Sequence, residues 1–272
     1  MDELFSITSR LSHEEYILLA GGTDLVPRFK LLRQFPSHLI DIKHLTMFRG
    51  IAEYENEIVI GALTDLESIR THGGLKTQFP ALTQAADEFA GIQIRHRATI
   101  GGNICNASPA GDLLPGLYAA NASLSIRSGS GSRTIPIGDF ITGPGKTRLN
   151  PGELVTSIHI PRTSRKSMFY KLGLRQSMAI SVVNLAVTWD GNAKEPGEFI
   201  IAAGSVAPTV VFLKKFTDAL NKNNRDLTSL LPFIDQDIFP ITDIRASETY
   251  RRKVLKNIVK FEIKKILDSA RV

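Results

Sequence analysis

Two Gly-Gly segments constrain the fold of this 272-residue chain more than any other feature of its sequence. Residues 99–115 (TIGGNICNASPAGDLLP) combine a glycine pair with two asparagines, a Ser-Pro and an aspartate, and residues 18–25 (LLAGGTDL) interrupt an apolar run. Glycine is unfavourable inside a helix or strand because of its backbone freedom. Both segments are therefore predicted to be loops between regular elements.

The two loops are predicted to bind an anion through backbone N–H groups. Glycine allows positive φ, so that successive N–H groups point into one concavity, and its missing Cβ lets the backbone approach a phosphate. Gly21, Gly22 and Thr23 also precede a possible helix N-terminus, whose dipole favours negative charge. Either pair alone could be a simple turn. Together, this loop and residues 101–103 are expected to hold the pyrophosphate of a dinucleotide from two sides.

Asp112 and Cys105 follow the second glycine pair. If buried, the aspartate needs a hydrogen-bond donor, and we expect it to accept from a sugar hydroxyl or a ring N–H of the ligand. Its alternative role is to cap a helix that begins near Leu113 or Leu114. Cys105 is expected to be a small packing residue rather than a nucleophile.

Composition excludes several classes of protein. A single cysteine rules out a disulfide within the chain and a zinc or iron–sulfur site built from its cysteines, and it favours a reducing cytoplasm. The first residues show no basic start followed by an apolar core, and no apolar run reaches the roughly 18–20 residues of a membrane span. No H-E-x-x-H or G-x-S-x-G motif is present, so a self-contained hydrolase is not expected.

Much of the net charge of +6 lies near the end of the chain, where lysines and arginines concentrate between residues 245 and 265. Such a cluster could bind nucleic acid. The alternative is the solvated face of an amphipathic helix, which the near-helical spacing of Val254, Ile258, Phe261 and Ile266 favours. No aromatic residues alternate with the charges as single-strand binding would require.

The hydrophobic pattern predicts an α+β protein with two domains, residues 1–164 and 165–272. Before a polar stretch at 162–167 it predicts strands at 16–20, 37–42, 57–61, 122–127, 133–137 and 154–160, and helices at 24–32, 64–71 and 80–89. Thr64 and Glu67 are expected to form the capping box of the second helix. Beyond the stretch it predicts an antiparallel sheet of strands at 168–174, 180–189 and 198–203, then helices at 213–221 and 246–269. The predicted strands and helices do not alternate regularly along the chain, which argues against a doubly wound sheet.

Residues 18–30 (LLAGGTDLVPRFK) and 94–115 (IRHRATIGGNICNASPAGDLLP) resemble the flavin-contacting segments of the FAD-binding subunits of molybdenum hydroxylases. This family includes the middle subunits of bacterial xanthine dehydrogenase and carbon monoxide dehydrogenase. Residues 152–161, 169–187 and 240–259 are similar to later family segments, so the resemblance covers nearly the whole chain. It implies a two-part FAD-binding domain of the vanillyl-alcohol-oxidase (PCMH) type, followed by a smaller α+β domain with a three-stranded antiparallel sheet and helices.

The resemblance also implies which residues contact FAD. It assigns no catalytic side chain and no metal ligand. The residues that match family contacts are Ala20, Gly21, Gly22, Thr23, Asp24, Phe89, Thr99, Ile100, Gly101, Gly102, Asn103, Asp112, Val155 and Lys171. Residues 140–149 depart from the family pattern.

The function implied by the resemblance is electron transfer within a cytoplasmic heterotrimer of the xanthine dehydrogenase type, acting in purine metabolism. A molybdopterin-binding large subunit would oxidise the substrate, and [2Fe–2S] clusters on a small subunit would pass electrons to FAD on this chain, which gives them to NAD or another acceptor. No nucleic acid or membrane partner is expected. The alternatives are a stand-alone flavin oxidoreductase of the same fold and a non-enzymatic basic binding module.

Overall fold

The computed structural model describes residues 2–12, 15–191, 197–222 and 226–269. Helices and mainly antiparallel strands alternate irregularly, which confirms the α+β class. The elements before residue 165 are α1 (Asp2–Thr8), β1 (Tyr16–Leu19), α2 (Leu25–Leu32), β2 (His38–Asp41), β3 (Ile51–Glu53), β4 (Glu57–Gly61), α3 (Leu66–Thr71), α4 (Gly73–Gln78), α5 (Pro80–Asp87), α6 (Ile92–Arg95), α7 (Ile100–Asn106), α8 (Leu113–Ala119), β5 (Ser123–Ser128), β6 (Gly131–Pro136), α9 (Ile137–Phe140), β7 (Ile141–Gly143), β8 (Lys146–Thr147) and β9 (Leu154–Pro161).

A small parallel sheet pairs β1 with β2, with Tyr16 opposite His38 and Leu19 opposite Asp41. Parallel strands need a crossover connection, and α2 supplies it. The residues of α2 are all at least partly exposed to solvent. The carboxyl end of β1 leads directly into the first glycine segment, so this sheet fixes where that segment lies.

Five antiparallel strands form the main sheet in the order β3-β4-β9-β5-β6. Side chains alternate along each strand, so Ile58 and Ile60 of β4 are buried together with Ile158 of β9. Apart from α6, the helices between β4 and β5 share one apolar core with this face of the sheet. That shared core places the second glycine segment against the strands.

The start of α3 differs from the sequence prediction. Asp65, not Thr64, caps the helix, and its Oδ1 accepts the Ser68 N–H at 2.8 Å. Thr64 instead donates its hydroxyl to the Gly50 carbonyl at 2.9 Å, and Glu67 pairs with arginines. The predicted capping box was wrong because the neighbouring aspartate also has the spacing of a cap.

The second sheet contains β10 (Arg165–Gly173), β11 (Ser181–Asp190), β12 (Phe199–Gly204) and β13 (Val211–Phe212), antiparallel and in that order. The three predicted strands are present, and β13 adds a short fourth. Helices α10 (Lys214–Asn221), α11 (Leu227–Ile234) and α12 (Glu248–Ser269) share a second core with this sheet. The sequence pattern missed α11, because Pro232 interrupts its apolar run.

Helix α12 packs on the second core through Leu255, Val259 and Ile263, which recur every four residues. Phe261, expected on this face, is 65% exposed, so its assignment was wrong. Within the described ranges, no helix has both the length and the apolar character needed to cross a membrane.

Several basic residues of α12 are engaged in ion pairs. Arg252 lies 2.9 Å from Glu248, and Lys256 pairs with Asp235. Phosphate binding depends on unpaired positive charge, so this pairing weakens the case for a nucleic-acid surface on α12.

Candidate functional site

A row of unused backbone donors follows β1. The N–H groups of Gly21, Gly22, Thr23 and Asp24 donate to no acceptor in the described part of the chain. Gly22 has a φ of +74°, which glycine adopts without strain. Asp24 is the N-cap of α2, and its side chain makes no capping bond. Adjacent free N–H groups at the start of a helix suit an anion such as a phosphate.

The two glycine segments lie side by side. A Cβ on Gly21 would be 2.1 Å from the Arg97 carbonyl oxygen and 3.0 Å from the Ala98 Cα, so only glycine fits there. Ala20, one residue earlier, packs on the small apolar cluster around Phe48. The backbone that touches Gly21 leads directly into Thr99, the start of the second segment.

The second glycine segment is a helix start and not the expected loop. Thr99 is the N-cap of α7, and its Oγ1 accepts the Gly102 N–H at 3.1 Å. The Ile100 N–H donates to the Thr64 carbonyl, and the Gly101 N–H donates to the Ala62 carbonyl at 2.8 Å. The expected second set of free donors is therefore already bonded within the protein.

Gly101 has a packing role at this helix start. A Cβ there would lie 2.7 Å from the Ala62 carbonyl oxygen, so glycine lets α7 approach the end of β4 closely. The glycine pair argued against a helix in the sequence, whereas the threonine before it is a normal cap. Thr99 as a helix cap therefore indicated the local structure better than the glycine pair did.

Asn103 supplies an unmet polar group beside these segments. Its Oδ1 is buried and has no hydrogen-bond partner among the described residues, while its backbone N–H donates to the Thr99 carbonyl. A buried acceptor without a donor is costly unless a ligand or water supplies one. Free donors at residues 21–24 and this orphaned acceptor together fit a polar ligand with both acceptor and donor groups, as a dinucleotide has.

Asp112 is the N-cap residue of α8, as the alternative expected, but its side chain makes no capping bond to the helix. The residue as a whole is 5% exposed, and its carboxylate accepts three bonds from the second domain. The donors are Lys171 Nζ at 2.7 Å, Ser181 Oγ at 2.5 Å and Asn184 Nδ2 at 3.1 Å. Most of its acceptor capacity is thus used by the protein, and a direct bond to a sugar hydroxyl would need its remaining lone pair.

Lys171 borders an open cavity of about 380 Å³. Glu88, the last two residues of β10 and the loop of residues 174–179 line the rest of its wall. Lys171 Nζ also donates to the Glu88 carbonyl at 2.8 Å, which fixes the ammonium at the edge of the cavity. This is a concave space with a fixed positive charge, a suitable environment for part of a flavin.

Phe89 lies two residues after the end of α5 and packs against the main core. Its carbonyl accepts Arg95 Nη1 at 3.1 Å, and Arg95 Nε donates to Glu67 at 2.7 Å. Side-chain hydrogen bonds from Arg70 and Arg95 lower the pKa of Glu67 to about 2. The Glu67 carboxylate therefore stays ionised and keeps its pairing with Arg95. Arg95 in turn holds the Phe89 backbone, which follows Glu88 at the cavity.

Val155 lies in β9 opposite Ile126 and is buried in the main core. It does not line the cavity beside Lys171. Its neighbour Thr156 accepts the Ala62 N–H at 2.9 Å, which links β9 to the strand end that supports Gly101. The structure thus forms two groups from the assigned residues: the glycine segments, and Phe89 with Asp112 and Lys171.

Cys105 packs against the main core, as expected for a small packing residue. Desolvation raises the pKa of its thiol to about 12, so it carries almost no thiolate at neutral pH.

Ser181 and Asn184 were not found from the sequence. Both are fully buried in β11, in the run SVVNLAV, where the asparagine is the only visible signal. A buried asparagine in an apolar strand needs partners, and this requirement could have marked the position.

Comparisons with known proteins match the chain over both of its parts. A family model described as the FAD binding domain in molybdopterin dehydrogenase matches residues 1–163. A second model, the CO dehydrogenase flavoprotein C-terminal domain, matches residues 168–265.

Individual relatives also match most of the length of the chain. The chain is 35% identical over 249 residues to the glyceraldehyde dehydrogenase medium chain of Sulfolobus acidocaldarius, covering 88% of this chain and 86% of the relative. It is 31% identical over 260 residues to the xanthine dehydrogenase FAD-binding subunit of Escherichia coli, covering 93% and 89%. A solved carbon monoxide dehydrogenase from Hydrogenophaga pseudoflava superposes with a TM-score of 0.91 at 26% identity, covering 99% of this chain and 94% of that one.

Proposed function

This chain belongs to the FAD-binding subunits of the molybdenum hydroxylase family, and we propose that it carries electrons within a hydroxylase complex of that kind. FAD is its cofactor, and the chain is part of an oxidoreductase. The single observation that best supports the proposed binding mode is the row of free N–H groups at residues 21–24, next to the start of α7.

We propose that the diphosphate of FAD binds the N–H groups of Gly21, Gly22, Thr23 and Asp24. Four donors and the dipole of the eight-residue α2 offset two negative charges without a lysine or arginine. Thr99–Asn103 would contact the same part of FAD from α7, chiefly through the Asn103 side chain, because its backbone donors are already used. The flavin ring would take the cavity lined by Lys171 and Glu88, the residue that precedes Phe89.

The residues of this chain bind and orient the cofactor. FAD, when bound, can take up electrons singly and release them as a pair. Lys171 places a fixed positive charge at the cavity, and the Glu67–Arg95 pair holds the Phe89 backbone beside it. No side chain is required as an acid, a base or a nucleophile.

The electron donors and the substrate site are proposed to lie on partner subunits. Among the described residues, no group of three or more His, Cys, Asp or Glu side chains could hold a metal ion. Because the relatives are single subunits or chains of larger dehydrogenases, we propose an iron–sulfur small subunit and a molybdopterin-binding large subunit as partners in a cytoplasmic heterotrimer. We also propose a domain boundary near residue 164, and the two family matches, over residues 1–163 and 168–265, support it.

For the finer function, we propose a purine such as xanthine as the substrate of the complex and NAD as the electron acceptor. The similarity to the Escherichia coli xanthine dehydrogenase subunit supports this choice. A substrate screen of the purified complex decides it: xanthine-dependent reduction of NAD is expected, and turnover of glyceraldehyde alone would overturn it.

Purification from the native host tests the proposed function. We expect a yellow protein with the absorption bands of a flavin, mass spectrometry that identifies released FAD, and co-purification of iron–sulfur and molybdopterin subunits. A yellow protein that never associates with these subunits would support a stand-alone flavin oxidoreductase instead. A colourless protein that binds nucleic acid in a salt-sensitive manner would overturn the flavoprotein assignment.

A further inference from the structure

A buried ion pair joins the two domains beside the proposed flavin cavity. Lys171 Nζ lies 2.7 Å from Asp112 Oδ2, and the two side chains are only 4% and 7% exposed. Lys171 also donates to the Glu88 carbonyl at 2.8 Å. An ammonium has three donors, so one N–H of Lys171 has no acceptor among the described residues. It remains available to a ligand in the cavity that Lys171 lines.

Two side chains of β11 share the Asp112 carboxylate with Lys171. Ser181 Oγ donates to Asp112 Oδ1 at 2.5 Å, and Asn184 Nδ2 donates to the same oxygen at 3.1 Å. Both residues are completely buried. Neutral donors stabilise the carboxylate charge and fix its orientation. With these two bonds in place, Asp112 neutralises Lys171 less completely than an isolated carboxylate would.

The position of Asn184 is itself constrained by the neighbouring strand. Asn184 pairs with Gly204 of β12, and a Cβ on Gly204 would lie 2.3 Å from Asn184 Oδ1. Ser181 Oγ also accepts a bond from Asn184 Nδ2 at 3.2 Å. The asparagine amide therefore occupies a space that only glycine at position 204 leaves open, which holds it against Asp112.

Building on the proposed function, we propose that Ser181 and Asn184 are positioning residues that set the reduction potential of the bound flavin through Asp112 and Lys171. Reduction follows FAD + 2 e⁻ + H⁺ → FADH⁻, with the electrons supplied by the one-electron iron–sulfur donors of the complex. The positive charge of Lys171 favours the anionic product. Loss of either β11 donor makes Asp112 neutralise Lys171 more strongly and so disfavours reduction.

Redox titration of the FAD-loaded variants Ser181→Ala and Asn184→Ala tests this role. Each should lower the preference for reduced over oxidised FAD about tenfold, which is roughly 30 mV for a two-electron couple. The affinity for oxidised FAD should change little. Asn184→Ala provides the test independently if Ser181→Ala does not fold.

Ser167→Ala is the matched control. Ser167 is also a buried serine, and its Oγ accepts the Ala81 N–H at 3.1 Å across the same domain contact without touching Asp112. This variant should leave the potential unchanged. An equal drop in Ser167→Ala would show a general effect of loosened packing and overturn the inference.

A double mutant tests whether the effect passes through Lys171. Lys171→Met should lower the potential, and adding Ser181→Ala should lower it no further. Unchanged potentials in both β11 variants, or an undiminished effect of Ser181→Ala in the Lys171→Met protein, would overturn the inference while leaving the proposed function intact. A wild-type chain that binds no FAD would overturn both.

Discussion

At the scale of single residues, Gly21 is the position where sequence, packing and binding are most tightly linked. It touches the backbone before Thr99, with 2.1 Å between a built Cβ and the Arg97 carbonyl oxygen, and it belongs to the row of free N–H donors. A side chain here would separate the two glycine segments. The residue thus serves the contact between the segments and belongs to the proposed anion site.

We expect Gly21→Ala to weaken FAD binding at least tenfold. The added methyl must move either the 20–24 segment or the Arg97 backbone, and overpacking of this kind costs about 1–3 kcal/mol. Fluorescence titration of the apoprotein with FAD measures the change. Gly73→Ala is the control, because a Cβ there meets no atom within 4 Å. Wild-type affinity in Gly21→Ala would contradict the role given to this segment.

Cys105 gives a chemical test of the core beside the second segment. Because burial raises the pKa of its thiol from 9.0 to about 12, the thiolate fraction at pH 8 falls about a thousandfold. Iodoacetamide should therefore label the native protein very slowly and the urea-unfolded protein quickly, as followed by intact mass. Rapid labelling of the native chain would show that Cys105 is not desolvated.

At the scale of elements, Glu67 ties α3 to α6 and so supports the Phe89 segment. Its carboxylate receives Arg70 Nε at 2.8 Å and Arg95 Nε at 2.7 Å. These bonds lower its pKa in the folded protein to about 2, from an ordinary value of 4.5. The resulting stabilisation is complete above about pH 4.5 and is lost as the pH falls towards 2.

The Glu67→Gln variant should therefore lose stability mainly at neutral pH. We expect a loss of about 1–3 kcal/mol at pH 7 and a difference from wild type that shrinks as the pH falls from 5 to 2. Urea unfolding at a series of pH values gives the free energies. Glu55→Gln, at an exposed position, should follow the wild-type curve. A difference that stays constant with pH would contradict the lowered pKa.

Elements whose apolar and polar residues alternate clearly in the sequence were predictable. Features that depend on contacts between distant residues were not. Strand β4 was predicted from the alternating run EIVIG, and Ile58 and Ile60 do face the core. Helix α7 was read as a loop because its glycine pair concealed the Thr99 cap. The Asp112–Lys171 pair joins residues 59 positions apart, and no local pattern reveals such a contact.

At the scale of the whole molecule, the proposed cofactor region depends on the contact between the two domains. Beside the Asp112 network, the Phe169 N–H donates to Gln84 Oε1 at 2.8 Å, and Thr188 Oγ1 donates to the Ala119 carbonyl at 3.3 Å. The main core also includes Phe169 and Ala186 of the second sheet. Changes deep in the second domain should therefore affect the stability of the whole chain.

Arg251 offers the clearest test of that dependence. It is 2% exposed and donates to the carbonyls of Val182 and Ser205 and to Asp243 at 2.6, 2.9 and 2.8 Å. Arg251→Met should cost about 3–5 kcal/mol, because it leaves these buried acceptors without their charged donor. Urea unfolding measures the loss.

Arg252→Met is the matched control on the same helix. Arg252 is about one-third exposed and pairs with Glu248, so its loss should cost less than about 1 kcal/mol. Equal losses in the two variants would show that Arg251 does not anchor α12 to the second sheet.

The most direct measurement is an amide ¹H–¹⁵N spectrum of the deuterated apoprotein recorded while FAD is added. We expect the largest shifts at Gly21, Gly22, Thr23 and Asp24, whose N–H groups would gain phosphate acceptors. The already bonded amides of Ile100 and Gly101 should shift less. Saturating FAD that leaves residues 21–24 unchanged would contradict the proposed diphosphate site.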